Sequence, residues 1–166
     1  MGIFDKFNKK KEDNKQEEYE IYLKKLGEQC RNAVADFEQN PPIKRIETEM
    51  GITLDYSEKS IDVLPKLLEE IKGAYEAKKI PDEYFDSCIT FLGWYLGETM
   101  MENGLKELGC VWQVSDSIPG YEGVKLVYIA SRNGMMHFPI AKIEKYVING
   151  QEDIKGFYKS CFDLSK

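Results

Sequence analysis

The chain has 166 residues, 42% apolar and 31% charged, with 23 basic against 29 acidic side chains for a net charge of −6. That length fits one domain able to hide about two thirds of its unfolded surface. The composition is that of a soluble globular protein, and no apolar run approaches the roughly 20 residues that cross a bilayer. An acidic surface repels phosphate backbones, so nucleic acid is not an expected partner.

The opening MGIFDKFNKKK places its apolar residues before its lysines, the reverse of a secretory signal, and lacks the Ser or Thr at position six of a myristoylation pattern. A cytoplasmic protein without stable membrane insertion is the expectation. The four cysteines, Cys30, Cys88, Cys110 and Cys161, stand singly among apolar neighbours with no CxxC pair, as reduced buried thiols do. With His137 as the one histidine, a two-histidine zinc site is excluded. No metal and no cofactor are expected.

In chain order, residues 1–14 read as a flexible N-terminal tail, polar after Ile3, Phe4 and Phe7. The remainder, 15–166, reads as a single α+β domain that begins with a long helix over 15–40. In that helix Tyr19, Tyr22, Leu23, Leu26, Cys30, Ala33, Val34 and Phe37 recur three and four apart until Asn40, Pro41 and Pro42 stop it. Residues 43–56 read as a connection in which Ile52 and Leu54 add a short strand. Ser57 or Ser60 caps a second helix with Ile61, Leu64, Leu67, Leu68, Ile71 and Tyr75 on its face and Pro65 in its early turns. A third helix runs from about Glu83 to Asn103, with Gly104 as the stop. After Gly109 the period alternates: Val111 to Val114, Val124 to Ala130 and Met135 to Phe138 read as antiparallel strands. SDSIPGYEG forms a long first connection and Ser131 to Gly134 a tight second one, Asn-Gly being a strong hairpin signal. Two helices close the chain, one ended by Gly150 and one carrying Ile154, Phe157, Tyr158, Cys161 and Phe162.

The third helix holds the most informative stretch, GWYLGE at 93–98. Each interior glycine costs about 1 kcal/mol of helix stability relative to alanine. Close packing against another element is the compensation expected for Gly93 and Gly97. The helix is then the centre of the domain, apolar around most of its girth. Glu98 sits on its least apolar arc beside Glu102, Ser87 and Phe91, with Trp94 and Met101 flanking. Two readings stay open: a solvated edge, or a desolvated carboxylate held by Arg132, Lys142 or backbone donors that binds something or acts as an acid.

The stretches LDYSEKSIDVLPKLLEEI, FLGWYLGETMMENG, Trp112 and HFPIAKIEKYVINGQEDIKGFY together resemble a group of small uncharacterised bacterial domains with an LGxYLGE-type helix motif. They share a tryptophan soon after the motif, a proline opening a late helix and a closing NG turn, over residues 52–158. The resemblance implies a compact α+β domain of bacterial origin and brings no activity or catalytic residue with it.

Tyr128, His137 and Trp112 are expected to share a sheet face with Glu98 near, a cluster that would suit a small hydrolase or transferase using Glu98 and His137. A lone histidine beside Phe138 and Pro139 is more often a packed or rim residue. No nucleophile elbow or phosphate loop is present. The fold expected is α+β, an antiparallel sheet of three to four strands packed against a helical layer with a central glycine-containing helix. The function expected is a non-enzymatic protein-binding or regulatory domain, an immunity-type inhibitor of a basic toxin being one version. Trp94, Glu98, Trp112, Tyr128, Arg132 and His137 are its candidate binding residues, and a protein partner or self-association its expected mode.

Overall fold

In a computed structural model that describes residues 3–150 and 152–166, the chain forms six helices and a three-stranded antiparallel sheet. Helix α1 spans Ile3–Glu38 and takes in residues that the sequence assigns to an N-terminal tail. At 1.5 Å per residue its 36 residues extend about 54 Å.

Pro41 and Pro42 end α1 and also start α2, Pro41–Met50, where the connection with a short strand was expected. Proline is well placed in a first turn because its missing N–H has no helical acceptor there. Ile43 and Ile46 are buried, and Gly51 closes the helix in the left-handed conformation (φ 63°). Ile52 and Leu54 lie outside the sheet; Leu54 is a core residue, its backbone N–H donating to Glu47 Oε1 at 2.8 Å.

A 3-10 turn over Glu58–Val63 follows, capped by Ser57 Oγ, which accepts from the Ser60 N–H at 3.3 Å. It runs into α3, Leu64–Glu76, with Pro65 in the first turn. The start of this turn is fastened to the helix that carries Tyr95: the buried Tyr95 hydroxyl lies 2.5 Å from Ser60 Oγ and accepts from the Tyr56 N–H at 3.0 Å.

Helix α4, Asp82–Met100, is the most buried element, every residue from Phe91 to Gly97 being inside. It packs against α1, α3 and a later helix, α5 (Pro139–Asn149). Met101–Leu105 continue it as one wide turn, kinked at Asn103 and Gly104. Gly104 has φ 135°, a region that L side chains rarely occupy, so the residue type is dictated by the backbone.

Strands β1 (Val111–Ser115), β2 (Leu126–Ala130) and β3 (Met136–His137) lie in that order. Trp112 pairs with Ile129 and Ile129 with His137, so these three share one face, and Gln113 pairs with Tyr128 on the other. Strands β2 and β3 are shorter than their alternating patterns: Val124 and Lys125 stay in the loop, and Phe138 becomes the residue preceding α5. Helix α6, Ile154–Ser165, is capped by Asp153 Oδ1, which accepts from the Gly156 N–H at 2.8 Å. Among the described residues, no helix is long and apolar enough to cross a membrane.

Candidate functional site

The two glycines of GWYLGE sit where other parts of the chain touch α4. A Cβ on Gly93 would come within 2.4 Å of Ile140 Cα in α5, and one on Gly97 within 2.4 Å of the Trp112 ring and 2.9 Å of Pro139. Real Cβ atoms do not approach so closely, so the helix gives up propensity to admit α5 and the β1 tryptophan. A third glycine completes the arrangement from the opposite side: a Cβ on Gly27 of α1 would stand 2.9 Å from the Trp94 ring.

Between these contacts lies a compact cluster. The Trp94 and Trp112 rings are stacked, centroids 4.2 Å apart and planes at 4°, a geometry worth about 0.5–1.5 kcal/mol beyond area burial. Trp112 Nε1 donates to Glu98 Oε1 at 2.5 Å, and Glu98 Oε2 lies 3.8 Å from an Arg31 guanidinium nitrogen on α1. The Glu98 side chain is 18% exposed, so its carboxylate is mostly withdrawn from water yet has a donor on one oxygen and a cation near the other. Cys30, one residue before Arg31, feels the same environment: burial pushes its thiol up to about 11, with Glu98 adding to the shift and Arg31 opposing it. Trp94 Nε1 is buried with no hydrogen-bond partner among the described residues.

Three of the six residues singled out from sequence, Trp94, Glu98 and Trp112, are thus brought together, and three are not. Tyr128 lies on the opposite sheet face from Trp112, where its hydroxyl donates to Gln113 Oε1 at 3.0 Å. His137 does share the Trp112 face, but its ring is buried (4% exposed) with Nε2 2.8 Å from Ser165 Oγ of α6. Burial lowers its pKa below the ordinary 6.5. The Arg132 guanidinium lies over Gly109, whose substitution by any larger residue would collide with it. Lys142 pairs with Glu152, so Glu98 takes its cation from α1 and not from either residue expected.

The expected cluster of Tyr128, His137 and Trp112 around Glu98 therefore does not assemble; Glu98 and His137 are each engaged with other groups. Arg31 and Gly27 are the residues that the periodic reading passed over. Their signal was a glycine inside an amphipathic helix with an arginine one turn on, a pairing that reads as close approach plus a reaching cation.

Among the described residues, no group of three or more His, Cys, Asp or Glu is arranged to hold a metal ion, and all four cysteines are free and buried. Surface clefts lie beside Tyr75 and Pro81, between α4 and α5, and between α1 and α4, and none of these is lined by Glu98 or His137. Comparison with known proteins finds no family model, curated protein or solved structure that matches the chain.

Proposed function

We propose that the chain is a non-enzymatic binding or regulatory domain acting through protein contacts in the bacterial cytoplasm, of which an immunity-type inhibitor of a basic toxin is the most concrete version. The observation that carries this reading is the employment of Glu98. A carboxylate meant for acid–base work needs a free oxygen facing a cleft; this one is divided between Trp112 of β1 and Arg31 of α1, where it joins three elements of the fold. His137, the other residue of the hydrolase reading, is likewise engaged with Ser165 in the interior. Further support comes from the surface. The net charge of −6 favours association with basic proteins, and Ile21, Tyr121 and Ile148 hold large apolar groups in water at 62%, 57% and 71% exposure.

The test is capture of partners by the tagged full chain from bacterial lysate at low and high salt, with the captured protein identified by mass spectrometry. The reading expects one stoichiometric, basic protein whose association rate falls steeply with ionic strength. Capture of nothing at either salt, together with turnover of a generic ester or phosphate substrate that Glu98→Gln abolishes, would overturn it in favour of a hydrolase.

A further inference from the structure

Asp86, Thr90, Gly93 and Gly97 form one stripe along α4, spaced four, three and four residues apart. At the glycine end the stripe is closed by Ile140, Pro139 and Trp112. At the other end it is open, and Asp86 and Thr90 line two clefts at once, one of about 400 Å³ toward α5 and one of about 460 Å³ toward α1. Helix α5 closes on the glycines and α1 on the neighbouring Trp94, and around Asp86 and Thr90 the two clefts adjoin, leaving a wedge in which α4 is the floor.

The wedge has an apolar interior and an acidic edge. Phe85, Ile89, Ile140 and Ile148 line the α5 side, and Leu26, Ala33 and Phe91 the α1 side. The charged side chains in the two linings are the carboxylates of Asp86 and Glu144. Ile148 is 71% exposed, more than any other large apolar side chain described.

We propose that this wedge is the docking surface for a basic amphipathic segment of a protein partner, its apolar side chains entering beside Phe85 and Ile148 and its Lys or Arg residues meeting Asp86 and Glu144. The proposal rests on the protein-binding reading and names its site. Charge selects the occupant: a second copy would bring the same carboxylates to the same place, and like charges face to face are unfavourable, whereas a cationic segment is steered in. The shape suits a helix, because α1 and α5 already lie along α4 and a third would fill the gap between them.

The experiment titrates the full ¹⁵N-labelled chain with a synthetic leucine–lysine amphipathic peptide of about five turns, and with its leucine–glutamate counterpart. Expected are shifts centred on Asp86, Thr90 and Ile148 with the basic peptide alone. Affinity should fall about tenfold in Asp86→Lys/Glu144→Lys and several-fold in Ile148→Ser, which alters an exposed side chain and leaves the fold intact. Glu17→Lys/Glu107→Lys, an equal charge change on exposed positions elsewhere, should move it less than about threefold. Shifts centred elsewhere, or equal losses in the two charge pairs, would overturn the proposal. So would a dimer of the wild type that Ile148→Ser dissolves, since the occupant would then be a second copy. In lysate capture, a partner held equally by wild type and Asp86→Lys/Glu144→Lys removes the wedge and leaves the binding reading standing; no partner at all, together with turnover that Glu98→Gln abolishes, removes both.

Discussion

Trp112 Nε1 donates to Glu98 Oε1 at 2.5 Å, and through that bond the first strand of the sheet is fastened to the helix that forms the middle of the domain. With Arg31 near the second oxygen, one carboxylate ties together segments that are far apart in the chain.

Removing that carboxylate should separate its two roles. Glu98→Ala leaves the Trp112 indole N–H without its acceptor and is expected to lower unfolding free energy by about 1–3 kcal/mol. Glu98→Gln keeps an acceptor and loses the ion pair with the half-exposed Arg31, for an expected loss of under about 1 kcal/mol. Urea unfolding followed by tryptophan fluorescence measures both; equal losses would mean the hydrogen bond contributes nothing beyond charge.

The glycines of α4 and α3 should respond in opposite directions to the same substitution. Gly93→Ala meets Ile140 backbone at 2.4 Å and Gly97→Ala meets the Trp112 ring at the same distance. Overpacking of about 1–3 kcal/mol should outweigh the roughly 1 kcal/mol gained in helix propensity. Gly73 in α3 has nothing within 4 Å of a new Cβ, so Gly73→Ala is expected to stabilise by about 0.5–1 kcal/mol. Thermal melts of the three variants decide the matter, and a stabilising Gly93→Ala would contradict the packing described.

His137 gives the domain a pH dependence of known sign. Its folded pKa lies below 6.5 because burial disfavours the imidazolium, so the unfolded chain binds more protons in the window from 6.5 downward. The stability it supports is complete above that window and declines as pH falls through it, by at most about 1.4 kcal/mol per pH unit for one proton. Melting temperatures of wild type and His137→Gln between pH 5 and 8 should diverge only on the acid side. Parallel profiles would show that the ring does not titrate differently on folding.

Thiol reactivity provides an independent probe of the core. Burial pushes the thiols of Cys30 and Cys88 up to about 11 and that of Cys161 up to about 12, and none of the four cysteines is exposed. Reaction of the native protein with a disulfide reagent at pH 8 should be on the order of a thousandfold slower than in denaturant. A thiol that reacts promptly in the native state would reveal local opening, and Cys30→Ser would show whether α1 is the element that opens.

The helices and strands were legible where one face is apolar and the other wet, as in α3 with Leu64, Leu67, Leu68 and Ile71, or where a special backbone residue marks an end, as with Gly104 and Gly150. Helix α2 is hidden behind Pro41 and Pro42, which have the look of a terminator alone; proline ends one helix and starts the next with the same chemistry, and Ile43 and Ile46, three apart, mark the second role. At the site, Gly93 and Gly97 announced a close approach without saying to what. Tyr128 was misplaced because alternation along a strand fixes which residues share a face only after the register is known. Arg31 as the partner of Glu98 is a tertiary contact between two helices: the spacing of Gly27 and Arg31 marks a close approach and a reaching cation, but does not name the carboxylate it meets.

The arm α1 has a consequence for how the chain is made. Synthesis runs from α1 toward α6, and the surfaces that receive the arm come late: Trp94 on α4, then Trp112 on β1, while Lys15 finds Asp116 across 101 residues of sequence. A nascent α1 emerges from the ribosome with most of its apolar stripe unmatched until α4 and β1 have followed. Closing such distant contacts is entropically slow. Helix α1 therefore completes its packing only after α4 and β1 have been made, and until then its apolar stripe is surface that the rest of the fold has yet to cover.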